Sequence, residues 1–313
     1  MTSPWLRRIL LLNLVLQVLI VVTGGLVRLT GSGLGCPTWP QCETGSLTPV
    51  IHDAVTFHPF IEFGNRLLSM VVGAVALLAV WAVWRWARER RPMMGLALGI
   101  IAITVGQGVL GGITVLTGLH PTTVMAHFLV SMALVTLSTA LVLREREPDH
   151  PARLIVPPVV RQLALATGGV LVAVLVLGTV VTGSGPHSGD AEEPARFGFD
   201  PRTVSWLHAD AVMLFLGLVV AMLVATSLVS GAARTRGWWS AVLLISLAQG
   251  LVGYTQYLTG LPEVLVLVHM LGAAALTITV TGGVLTLWSR QATVDASEPG
   301  AAEPDAASRS VMP

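Results

Sequence analysis

The chain contains no lysine: all 18 basic residues are arginine, set against 17 acidic ones for a formal net charge of +1. A balance so near neutral gives no long-range attraction for nucleic acid. Charge of either sign is scarce, at 11% of residues, while 53% are hydrophobic and the mean hydropathy is +0.76. A soluble domain of 313 residues has no core large enough to hide that much apolar surface. A water-soluble globule is therefore excluded, and an integral membrane protein is expected. Cysteine is nearly absent as well, with only Cys36 and Cys42.

What the chain does have is long apolar runs. Crossing a bilayer takes about 20 residues, and runs of that order lie at 9–27, 67–84, 93–117, 124–143, 163–182, 204–230, 238–259 and 264–288. The prediction is an all-α protein with eight transmembrane helices. Arginine-rich short loops stay in the cytoplasm, and the arginines cluster at Arg7 and Arg8, at Arg85, Arg88, Arg90 and Arg91, at Arg144, Arg146, Arg153 and Arg161, and at Arg234, Arg236 and Arg290. Both termini are then cytoplasmic, and these loops read as topogenic only. The first span is too long for a cleavable signal peptide, and "TGSG" follows it rather than a small-residue cleavage site. The tail 291–313, rich in Ala, Ser, Glu, Asp and Pro, is expected to be disordered.

An internal repeat organises the spans. "GQGVLGGITVLTGLHPTTVMAHFLVSMAL" from Gly106 and "AQGLVGYTQYLTGLPEVLVLVHMLGAAAL" from Ala248 align without a gap, pairing Gln107 with Gln249, Gly111 with Gly253 and His127 with His269. Upstream, "TGSG" from Thr30 matches "TGSG" from Thr182. Halves that each hold an even number of spans share one orientation, so the fold class is two four-helix bundles related by a pseudo-twofold axis along the membrane normal, with halves at 1–150 and 151–290 and the tail beyond. Inverted-repeat transporters are built differently. Gly106, Gly108 and Gly111 spell GxGxxG inside an apolar span with no strand before it, so they read as packing glycines and not as a dinucleotide loop.

Three histidines, His127, His208 and His269, fall about one turn inside the outer ends of spans four, six and eight. An imidazole in a membrane helix is costly and usually functional, although a single one can serve as hydrogen-bonding glue between helices. His208 and His269 come from alternate helices at one level, the way a four-helix bundle holds a heme iron between two imidazoles. A zinc site wants further Cys, Asp or Glu ligands at that depth, and only Asp210 is near, on another face.

The first-half counterpart of His208 is Asn65, in "FIEFGNRLL". That half lacks one imidazole and has instead Glu62, one helical turn from Asn65, where the second half has Ser205. One half can saturate an iron, whereas the other offers one imidazole, an open position and a carboxylate suited to acid–base chemistry. Arg66 and Arg28 are candidates for heme propionates, with an interfacial anchor as the plainer reading of Arg66. On an oxidising membrane face Cys36 and Cys42 read as a disulfide staple, with a redox-active pair as the alternative. His58 is followed by Pro59 and is not read as an iron ligand. His52, His120, His150 and His187 read as loop residues.

Together, "TGSGLGCPTWPQC", "EFGNR", "HPTTVMAHF", "TGSGPHSGD", "WLHAD" and "LVHML", in that order across a duplicated bundle, resemble the heme A synthase family. The resemblance spans about residues 10–288. It implies a multi-pass cell-membrane oxidoreductase that converts the C8 methyl of heme O to the formyl of heme A for cytochrome oxidase. It further implies heme b as cofactor, ligated by His208 and His269 in the C-terminal half; a substrate heme facing His127 in the N-terminal half; Glu62 as the catalytic carboxylate; and a loop disulfide. Many members have His at the position of Asn65, so two-imidazole ligation of the substrate heme does not carry over. Heme O, membrane lipid, a heme O synthase and an electron acceptor are the expected partners, nucleic acid is not, and a homo-oligomer is left open. The rival reading is a diheme b-type electron-transfer protein, and behind it a heme-handling assembly factor.

Overall fold

A computed structural model describes residues 3–50, 57–187, 189–190 and 195–290. The tail 291–313, for which disorder is expected, His52, Ser188 and the segment 191–194 lie outside the described residues. The helices are α1 (Pro4–Leu29), α2 (His58–Ala87), α3 (Arg91–Leu116), α4 (Pro121–Glu145), α5 (Pro158–Ser184), α6 (Pro201–Ser227), α7 (Ala233–Leu258) and α8 (Glu263–Leu285). All eight are long and apolar enough to cross a membrane, and the protein is a multi-pass helical membrane protein.

Proline marks the starts. α1 to α6 each carry Pro at the first or second helical position, where the missing N–H costs nothing and φ is already helical. This moves one boundary that matters: α2 begins at His58 and Pro59, nine residues before the apolar run, so Glu62, Asn65 and Arg66 are helical residues and not part of a flank.

The helices pack as two rings. α1 touches α2 and α4, with α3 closing between α2 and α4; α5 touches α6 and α8, with α7 closing between them. Between the rings, α4 meets α8, α1 meets α8 and α4 meets α5, a pattern unchanged when α1–α4 are exchanged for α5–α8. The turns after α3 and α7 also agree. In each "LTGL" the Gly–Leu pair has positive φ, at 60° and 54° for Gly118 and Leu119 and at 80° and 62° for Gly260 and Leu261. Leu119 N–H reaches back to Thr114 O and Leu261 N–H to Gln256 O.

At the end of the bundle that carries the chain's first residues, the arginines are more than topogenic, contrary to the sequence expectation. Arg90 is only 9% exposed and donates to the carbonyls of Arg144, Glu145 and Glu147 and to the Asp149 carboxylate. Arg144 also binds Asp149, at 2.8 Å, and Arg290 pairs with Glu147 at 3.3 Å. Burial pushes the Asp149 carboxyl up, but Arg90 and Arg144 outweigh it and hold it below the usual carboxylate value. A two-stranded antiparallel pair, β1 (Arg153–Leu154) with β2 (Trp288–Ser289), ties the link between the rings to the end of α8.

Candidate functional site

At the opposite end, the first loop folds back over α2. Cys36 and Cys42 form a disulfide, and both are fully buried. Glu62, one turn into α2, is 5% exposed and receives three N–H groups. Cys36 N–H donates to Oε2 at 2.6 Å, and Arg66 Nε and Nη2 donate to Oε1 at 3.1 and 2.6 Å. Three donors, one of them a guanidinium, suit an ionised carboxylate, and its 5% exposure sets it apart from a headgroup-facing residue.

Arg66 spends its remaining N–H groups on the loop: Nη1 to Thr38 O and Gln41 O, both at 3.0 Å, and Nη2 to Cys36 O at 2.8 Å. A guanidinium has five N–H donors, and all five are engaged. To reach a propionate, Arg66 would have to give up a bond that clamps the disulfide loop. Arg28 instead links the rings, donating from Nη2 to Thr182 O at 2.8 Å, and its Nε is buried without a partner. Beside it, Gly33 N–H donates to Gly189 O at 2.9 Å.

Asn65 is turned towards α1, where Thr23 Oγ1 donates to its Oδ1 at 2.8 Å. His58 is bonded through Nδ1 to Ser32 Oγ at 2.9 Å, His187 through Nε2 to Leu261 O at 3.0 Å, and His120 caps α4. His150 contributes its carbonyl to Arg290. Ser205, the counterpart of Glu62, bonds to Pro201 O of its own helix.

His127, His208 and His269 behave differently. Each has a buried Nδ1 with no hydrogen-bond partner, although the His208 ring also bonds to the backbone of Val174 on α5. Each ring lies against a glycine of the neighbouring helix: a Cβ at Gly111, Gly178 or Gly253 would stand 3.3, 3.2 or 3.5 Å from Cε1 of His127, His208 or His269. The packing role foreseen for three glycines thus holds for Gly111; Gly106 and Gly108 have nothing within 4 Å of such a Cβ. α6 and α8 stand across the ring from one another, as do α2 and α4, and the His208 and His269 rings are near enough to interact electrostatically. Among the described residues no group of three or more His, Cys, Asp and Glu side chains gathers to hold a bare metal ion. Imidazoles that each keep a buried Nδ1 without a partner and lie against a glycine fit a planar iron cofactor inserted between helices.

Sequence reasoning missed the supports of these histidines. Gln107 Nε2 donates to His127 O and Gln249 Nε2 to His269 O, both at 2.8 Å. Their identical repeat positions were the available signal.

Fold and site together define a multi-pass helical membrane protein with isolated imidazoles in its bundle interiors and a disulfide-capped carboxylate at one end. The chain belongs to the COX15-CtaA family of cytochrome oxidase assembly proteins, whose model matches residues 7–187. It is 30% identical over 262 residues to the heme A synthase of Halalkalibacterium halodurans, covering 80% of this chain and 83% of that one. It is 31% identical over 196 residues to the heme A synthase of Shewanella oneidensis, covering 57% and 56% of the two chains.

Proposed function

We propose that this protein is a heme A synthase, an oxidoreductase that takes heme O as substrate and oxidises its C8 methyl to a formyl group by successive two-electron oxidations. Membership of the family carries the reaction. The asymmetry between the two bundles supports the division of labour: two buried imidazoles with unpartnered Nδ1 atoms in one, and one such imidazole with a held carboxylate in the other.

In this reading residues 151–290 form a cofactor half and residues 1–150 a substrate half, related by a pseudo-twofold axis that the exchange-symmetric helix contacts favour. His208 and His269 hold heme b, which supplies one-electron transfer when bound. His127 faces the iron of the substrate heme. Asn65, tied to Thr23, offers no imidazole and leaves that iron an open position. Glu62 presents a fixed negative charge that stabilises positive charge developing on the carbon being oxidised. The arginine clusters favour both termini in the cytoplasm and the disulfide loop on the outer face of the cell membrane. A heme O synthase would deliver the substrate, and a separate acceptor would take the electrons.

The rival, a diheme electron-transfer protein, predicts heme b in both halves. Pigment extraction from the purified protein separates the two: heme b together with heme O or heme A supports the synthase, and heme b alone at two per chain overturns it.

A further inference from the structure

The two halves differ in a way that the histidines do not explain. In the first, polar side chains bond across the interior: Asn13 Nδ2 donates to Ser138 Oγ at 3.0 Å, Gln17 Nε2 to Thr104 Oγ1 at 3.3 Å, and Gln107 Nε2 to Ser131 Oγ at 2.6 Å as well as to His127 O. Asn13 and Gln17 are one turn apart on α1, and Thr104 and Gln107 one turn apart on α3. The three contacts therefore form one file that ends on the backbone of His127.

At the repeat positions the second half puts Leu165 for Asn13, Gly169 for Gln17, Ala273 for Ser131 and Val280 for Ser138. Gln249 keeps its bond to His269 O, but the Ser246 hydroxyl, at the place of Thr104, returns to its own helix at Val242 O. Polar side chains in a bundle interior are costly, and the second half shows that the packing does without them.

The file is also incomplete. Asn13 Oδ1 and Gln107 Oε1 are buried acceptors without a donor, and Asn13 is only 1% exposed. Unpaired buried acceptors carry a penalty that a ligand donor removes. The file does not lead to water. Below Asn13, α1 continues into Leu10 and Leu6, exposed by 1% and 0%, packed with Leu141 and Val142 in an apolar cluster. A closed recess suits a group on a ligand better than a path for protons.

We infer that this file, with Gln107 at its head, recognises the hydroxyl of the hydroxyethylfarnesyl substituent of the substrate heme; the inference rests on the heme O reading above. Heme b carries a vinyl group there and has no donor for Gln107 Oε1. A site built to bond a substrate hydroxyl discriminates strongly against the analogue lacking it. The half that has to tell heme O from heme b carries the file; the half assigned to heme b buries polar groups of its own, Gln249 and the unpartnered Gln256 Oε1 among them, but has Leu165, Gly169, Ala273 and Val280 where the file stands.

The test is competitive loading. Purified protein in nanodiscs is incubated with equal heme O and heme b, washed, and its pigments are extracted and quantified, with the heme b of the C-terminal half as internal reference. The wild type should hold heme O and heme b in equal amount. Gln107→Met, and separately the pair Gln17→Leu with Ser131→Ala, should keep the reference heme b but lower the heme O to heme b preference of the other half by about tenfold, equivalent to about 1.4 kcal/mol. Undiminished heme O preference in both variants would overturn the inference while leaving the synthase reading intact. A wild type that takes heme b alone in both halves overturns the reading itself and the inference with it.

Discussion

Glu62 on α2 accepts the backbone N–H of Cys36 at 2.6 Å, so the carboxylate assigned to chemistry and the disulfide loop above it form one hydrogen-bonded unit. Arg66 completes that unit by reaching both. The loop is therefore held over the N-terminal half by bonds from α2 in addition to its own cross-link.

Replacing Glu62 with Gln keeps the size and one acceptor but removes the charge. The variant should insert, bind heme b normally and make heme A at a rate lower by about 10²–10⁴-fold, the range of a positioned catalytic group. Heme b content and heme A yield are read from the same preparation. Near-normal output would leave Glu62 as a structural anchor of the loop.

Arg66→Lys offers three donors in place of five. Losing contacts to Thr38, Gln41 and Cys36 should cost about 1–3 kcal/mol where carbonyls are left unpaired. The Cys36–Cys42 disulfide should become easier to reduce, read as a faster reaction with a phosphine at fixed pH. An unchanged reduction rate would mean that the cross-link alone holds the loop.

His208→Ala or His269→Ala should abolish the low-spin heme b spectrum, because each removes an axial ligand. His58→Ala and His187→Ala, whose rings are engaged with Ser32 and Leu261, should keep it. If both of the first pair retain an unshifted spectrum, the assignment of the C-terminal half is wrong.

Asn65→His should break the contact with Thr23 and supply the imidazole that the first half lacks. The substrate heme should then turn six-coordinate in its optical spectrum, and turnover should fall as the open position closes. A fully active six-coordinate variant would show that the open position is not required.

Asp149→Asn removes the anion shared by Arg90 and Arg144. The Asp149 carboxyl is held below its usual value in the folded protein, so its stabilisation is present at neutral pH and disappears as pH falls through that lowered value. The variant should melt below wild type at pH 7, begin to converge with it below about pH 4, the ordinary carboxylate range, and meet it only below the lowered folded value. A difference independent of pH would point to packing instead of charge.

The eight helices were legible in the residues because a bilayer demands runs of fixed length and low charge, a requirement local to each segment. The repeat was legible for a related reason: Gln107 and Gln249, or His127 and His269, keep their spacing whatever surrounds them. The start of α2 was less so, since hydropathy says nothing about a helix that continues into polar residues, and only Pro59 hinted at it. What tertiary structure alone decided was the partner of each polar group. Arg66 could serve a propionate or a loop until the chain returned Thr38, Gln41 and Cys36 to within 3.0 Å of its guanidinium. Arg90 and Arg144 looked topogenic until Asp149 folded between them. Hydrogen bonds act over about 3 Å, whereas these partners lie up to 59 residues apart in the chain, so their pairing exists only once the helices have packed.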